Sequence, residues 1–139
     1  MAITTFNGPV RSQNGFIAGH QVGTANAINA TATATAAQVA TGYITSTSVG
    51  TVTITLPTGT LLGAALGATQ GTVFDLYIDN TAGASVVTVA VATNGILSSG
   101  AADTPGSFGD LTIAAGATGL ARFTLMFSSA TAYVFTRTA

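Results

Sequence analysis

Few residues in this chain are able to do chemistry, and their spacing decides against most reactions. His20 is the only histidine, and cysteine, lysine and glutamate do not occur. One imidazole with scattered aspartates does not make a zinc site, which takes three or four well-placed ligands. A nucleophilic triad needs a base oriented by a carboxylate. His20 lies in Gly19-His20-Gln21 with no acid nearby, and no G-x-S-x-G elbow is present. It reads as a turn residue beside Gly19. Asp75 and Asp79 are the obvious carboxylate pair for glycoside hydrolysis, which needs two acids roughly 5–10 Å apart. Four residues apart on one strand, they stand roughly 13 Å apart at ~3.3 Å per residue. They read better as outward residues that give a sheet its solubility, or as ion partners of Arg122 or Arg137. Asp103 and Asp110 flank a Gly/Pro loop whose spacing matches no calcium-binding loop. No catalytic residue, cofactor or metal site is expected, and the chain does not read as an enzyme.

The composition points toward assembly. Seven charged residues occur: Arg11, Arg122, Arg137, Asp75, Asp79, Asp103 and Asp110. That is 5% of the chain, where soluble domains carry about a quarter. A free monomer needs charge to keep its surfaces apart, so this chain is expected to pack against copies of itself or another protein. The net charge is −1, with three scattered arginines. Binding a phosphate backbone takes clustered Lys and Arg, so no nucleic-acid partner is expected. Mean hydropathy is +0.58, yet the longest nearly apolar run, Leu61–Ala68, is far short of the roughly 20 residues that span a bilayer. No membrane partner and no signal peptide are expected, which implies synthesis in the cytoplasm. The sequon Asn29-Ala30-Thr31 then has no use.

The elements follow from hydrophobic period. Residues 1–24 read as an extended arm, dense in breakers through Gln21 (Asn7-Gly8-Pro9, Asn14-Gly15). A solvated terminus is the alternative. The isolated apolar residues favour docking onto a partner, with Phe6, Pro9, Val10, Arg11 and Phe16 as the candidate contact residues. Within Ala25–Ala40, Thr31, Thr33 and Thr35 alternate with Ala, which predicts a strand. Strands follow over Gly42–Val49, Thr51–Leu56, Thr72–Asn80, Ser85–Ala92, Leu111–Ala115, Gly119–Ser128 and Tyr133–Thr138. Thr60–Gly67 is the one short helix, capped by Thr58 or Thr60. Gly59, Gly63 and Gly67 let it sit close to the sheet. About eight strands at intervals of roughly 8–12 residues predict an all-β fold over 25–139, a single antiparallel β-sandwich or jelly-roll-like domain.

The C-terminal hairpin has a readable register. Phe123, Leu125 and Phe127 share one face of their strand. If opposed residue numbers sum to 259, Arg122 faces Arg137 and the charges repel. A sum of 260 pairs Phe127 with Tyr133 and Leu125 with Phe135, and sets Arg137 against Phe123. The second register is predicted, closed by an odd-numbered loop around Ser129–Ala132.

The string Thr4-Thr5-Phe6-Asn7-Gly8-Pro9-Val10-Arg11-Ser12-Gln13-Asn14-Gly15-Phe16 resembles the start of small virion proteins of marine tailed bacteriophages. The body is similar too, in Thr53-Ile54-Thr55-Leu56-Pro57, Phe74 to Asn80 and Val86–Val91. The resemblance implies a capsid decoration (cement) protein: a β-sandwich, often a homotrimer, on the capsid exterior, with the major capsid protein as partner. It implies no catalytic residues. The alternative is a tail-fibre or receptor/carbohydrate-binding β-module, for which Tyr43, Tyr77 and Tyr133 are the candidate aromatics.

Overall fold

The computed structural model describes residues 26–97 and 111–139. The arm reading, its five contact residues, His20, Asp103 and Asp110 lie outside the described residues. Within them the order is β1 (Ala32–Thr33), α1 (Ala36–Ala40), β2 (Tyr43–Thr45), β3 (Val52–Thr55), α2 (Gly59–Leu66), β4 (Val73–Asp79), β5 (Val87–Ala90), β6 (Gly95–Leu97), β7 (Thr112–Ile113), a 3-10 turn (Gly116–Thr118), β8 (Leu120–Ser129) and β9 (Ala132–Arg137).

The chain is β-rich, and its strands form a four-stranded sheet, β1-β3-β5-β7, and a five-stranded sheet, β2-β4-β8-β9-β6. Up to β8, successive strands go to alternate sheets. The neighbours β1–β3, β3–β5, β5–β7 and β2–β4 are therefore each separated by one strand of the other sheet. Pairs β1–β3, β3–β5, β2–β4 and β6–β9 run parallel, whereas β4–β8, β5–β7 and β8–β9 are antiparallel. This corrects the expectation of an antiparallel domain. The in-out alternation of Val52, Ile54 and Leu56 against Thr51, Thr53 and Thr55 does mark a strand with one covered face, but it does not say which way the neighbour runs.

One hydrophobic cluster draws on both sheets and both helices. It includes Ile54 of β3, Val89 of β5, Ile44 of β2, Leu76 and Ile78 of β4, Phe123, Leu125 and Phe127 of β8, Tyr133 and Phe135 of β9, with Val39 and Leu62. Several polar ties cross between the sheets, among them the bond from Arg137 Nη1 of β9 to the Thr112 carbonyl of β7 at 2.8 Å. The Tyr133 hydroxyl, at the five-stranded sheet, donates to the Pro57 carbonyl beyond β3 at 3.0 Å. Burial pushes that phenol up to about 12. Asn80, at the end of β4, turns its amide Nδ2 to the carbonyls of Ser85, Ile113 and Ala114 at 2.9, 3.3 and 3.0 Å.

The strand expected over Ala25–Ala40 is corrected to a two-residue strand followed by a helix. Thr35 and Gln38 form a capping box, each side chain bonding the other's backbone N–H at 3.1 and 2.8 Å. That reciprocal cap lets the Ala-rich run take the helix that alanine prefers. The second helix, α2, is the expected one, with Thr58 as its N-cap.

Gly59 and Gly63 lie buried on α2 against the β8–β9 turn. A methyl group at Gly63 would overlap the Ala130 carbonyl oxygen, and one at Gly59 that of Thr131. Alanine at Gly63 gains about 1 kcal/mol of helix propensity, but overpacking against backbone costs about 1–3 kcal/mol or more. Gly63→Ala is expected to lower the urea midpoint, and an unchanged or higher midpoint would contradict this packing.

The β8–β9 register is the predicted one, with Phe123, Leu125 and Phe127 opposite Arg137, Phe135 and Tyr133. The closing loop differs from expectation. A bulge between Phe127 and Ser129 shifts the register by one, so Ser129 pairs with Ala132 and only Ala130-Thr131 turn the corner. The bulge absorbs the odd residue that the loop was expected to hold.

Candidate interaction surface

The five-stranded sheet turns one face to the core and the other outward. Register sorts the outer face into rows. Val73, Met126, Val134 and Ile96 lie side by side across β4, β8, β9 and β6. Val73, Met126 and Ile96 are 55%, 53% and 55% exposed, so the row is an open apolar stripe roughly 14 Å wide at ~4.8 Å per strand. Asp75, Thr124 and Thr136 form the next row, then Tyr43, Tyr77 and Arg122. Thr45, Asp79 and Leu120 form the last.

The polar members of this face are tied to one another by hydroxyls. Asp75 accepts from the Thr124 hydroxyl at 2.6 Å. Asp79 accepts from the Tyr43 hydroxyl at 2.6 Å, and from the Thr81 N–H and hydroxyl at 2.9 and 2.6 Å. Arg122 donates from Nε to Thr138 Oγ1 at 3.1 Å. The two aspartates lie on the outward face, as one of the two expectations had it, and their bonds there go to hydroxyls and a backbone N–H.

The Thr81 hydroxyl, the Tyr43 hydroxyl and the Thr81 N–H together hold the Asp79 carboxyl below the usual aspartate range. The bond to Asp79, burial and the nearby charge push the Tyr43 phenol up. A depressed folded-state value contributes stability above the ordinary aspartate range and loses it as pH falls through the folded-state value. The urea-midpoint gap between wild type and Asp79→Asn should therefore shrink from pH 7 to pH 3. An equal gap at both would show that the charge on Asp79 does nothing for the fold.

A cleft of about 410 Å³ opens at the rim of this face, lined by Thr41, Gly42, Tyr43, Val73, Phe74, Asp75 and Tyr77. Tyr43 and Tyr77 stand beside each other in register at its edge. Tyr133, the third aromatic suggested for a binding groove, is buried in the core, and its hydroxyl serves Pro57. The sequence places Asn80 at the end of the strand Thr72–Asn80, where a turn begins. Alternation along the strand puts it on the inward side with Leu76 and Ile78, but nothing in the sequence marks it as a donor to three carbonyls of the other sheet's strands and loops.

Among the described residues no group of three or more metal-ligating side chains occurs, and no helix is long and apolar enough to cross a membrane. Comparison with known protein families, with curated proteins and with solved structures finds no match to this chain.

Proposed function

We propose that this chain is a structural subunit of a phage virion, a decoration (cement) protein that binds the outside of a capsid and ties neighbouring capsid subunits together. On this reading the two-sheet body is a sandwich-type module that works as a homo-oligomer, most simply a trimer, with the major capsid protein as its partner. The observation that carries the proposal is the open apolar stripe of Val73, Met126, Val134 and Ile96 on a chain with seven charges. Exposed apolar surface of this kind marks a contact site, and a chain so poor in charge has little else to keep it apart from its neighbours. The resemblance of the Thr4–Phe16 string to phage virion proteins points the same way.

Assembly then acts mechanically. Each subunit bridges neighbours and resists outward pressure on the shell, and the segment 1–24, with Phe6, Pro9, Val10, Arg11 and Phe16, reaches a neighbour's sheet edge by adding a strand. Deleting residues 1–24 is expected to leave a folded β-body that no longer binds capsids in co-sedimentation. Normal decoration by the truncated chain, or its unfolding, would count against the proposal.

The adjacent Tyr43 and Tyr77 beside a cleft favour one second reading, a carbohydrate- or receptor-binding module at a tail fibre. Copy number per virion separates the two: hundreds on the head for decoration, a few at the tail for a fibre.

A further inference from the structure

Strand β4 is longer than the strand beside it. Its even-numbered residues bond toward β8, as the Asn80 N–H does to the Gly119 carbonyl at 2.7 Å and the Thr72 carbonyl does from the Phe127 N–H at 2.8 Å. Its odd-numbered residues bond toward β2: the Tyr77 N–H donates to the Gly42 carbonyl and the Asp79 carbonyl accepts from the Ser46 N–H, both at 2.8 Å. But β2 pairs only with Tyr77–Asp79. Val73 and Asp75 therefore turn their backbone groups into the 410 Å³ cleft, with no strand beside them among the described residues. Unpaired edge groups are a template for another strand.

We propose that this slot accepts the N-terminal segment of a second copy, with residues 9–12 entering as an added strand and Arg11 set against Asp75. The proposal rests on the assembly reading above only in requiring that copies associate. Charge complementarity selects the occupant. The chain has three arginines. Arg122 bonds Thr138 Oγ1, and Arg137 bonds the Ala139 and Thr112 carbonyls. Arg11 is the third, and it lies in the segment preceding the body. On the acidic side Asp79 already accepts three bonds, whereas exposed Asp75 lines the cleft and accepts from Thr124. With Arg11 on the Asp75 face, alternation along a strand turns Val10 to the opposite face, where half-buried Phe74 offers apolar surface.

Fourteen residues lie between Arg11 and Asn26, a reach of about 50 Å when extended. A neighbouring molecule is the host because a chain with 5% charged residues is expected to pack against copies of itself. The Asn26 carbonyl accepts from the Thr45 N–H and its side chain donates to Thr41 Oγ1 at 2.7 Å. The Asn26 backbone therefore lies along the edge of β2 opposite β4, while its side chain reaches Thr41 in the lining of the cleft. Val73 also belongs to both the slot and the apolar stripe, so a docked second molecule covers both at once.

The test is a charge exchange in the full chain, read by sedimentation at micromolar concentration with circular dichroism as the fold control. Arg11→Asp and Asp75→Arg are each expected to weaken self-association about tenfold, by replacing attraction with like-charge repulsion. An equimolar mixture of the two variants should regain association, since each molecule carries the charge that the other's slot or arm lacks. The double variant should also associate with itself. Wild-type-like association of either single variant, or a monomeric wild type, overturns the proposal. Rescue in the double variant without rescue in the mixture also overturns it, because the segment then occupies its own slot. Capsid binding is a separate readout: its absence alongside rescue by mixing supports the slot and counts against the decoration reading.

Discussion

Phe127→Ala is expected to lose about 3–5 kcal/mol of folding stability, the range for truncating a buried aromatic side chain. Phe127 is 1% exposed and opposes Tyr133 across the β8–β9 pair, with ring centroids 5.8 Å apart and planes at 55°. Phe123 and Phe135 stack beside them at 4.8 Å. The neighbours of Phe127 cannot close over the space it leaves. On one side α2 is already as near as glycine permits, with Gly63 lying over both the Phe127 ring and the Ala130 carbonyl. On the other side Tyr133 is held by its bond to Pro57. A site that cannot collapse keeps its cavity, which places the loss toward the upper end. Against a typical stability of about 5–15 kcal/mol, this variant approaches unfolding at room temperature. Urea titration should show a lower midpoint with an unchanged slope. A loss under about 1 kcal/mol would mean that the ring is not part of the core.

The register behind that expectation was legible because it depends on local pattern. Alternate positions on β8 and β9 carry large aromatic and aliphatic residues, and only one offset pairs them while separating Arg122 from Arg137. The inward set of β4, Leu76 and Ile78, was legible for the same reason, and the cap of α2 was legible as one of two threonines, Thr58 or Thr60, of which Thr58 caps. Partner choice was not. Thr51–Leu56 reads alike whether its neighbours run parallel or antiparallel, and the alternation of strands between two sheets is a property of loops. The helix at Ala36–Ala40 was masked by Thr/Ala alternation, although Thr35-x-x-Gln38 is a capping box in plain sequence. The apolar stripe needed the register of four strands at once. One of them, Gly95–Leu97, is too short to announce itself.

Asn80→Asp is the substitution that best isolates what the sequence did not reveal. The change keeps the shape of the side chain, so it opens no cavity. It replaces the amide that faces the Ser85, Ile113 and Ala114 carbonyls with an oxygen. Four acceptors then meet with no donor among them, and the residue is fully buried. Its other oxygen position is pressed beside Gly83 and has no hydrogen-bond partner among the described residues, so it offers the new charge no relief. Gly119 packs against the Asn80 backbone, where a methyl group would meet the main chain. An uncompensated buried charge costs about 3–5 kcal/mol, and the tie between the sheets at the end of β4 is lost with it. The carboxyl of this variant should resist ionising in the folded state, so its folded-state pKa is raised above the unfolded value. A raised acid contributes stability below the unfolded-state pKa and loses it as pH rises toward the folded-state pKa. Asn80→Asp should thus be least stable at neutral pH and regain part of the loss near pH 3, where a protonated carboxyl can donate to one of the three carbonyls. Urea midpoints of this variant and wild type at the two pH values decide the matter. A gap that is the same at both, or under about 1 kcal/mol at neutral pH, would show that residue 80 is not the buried donor joining the two sheets.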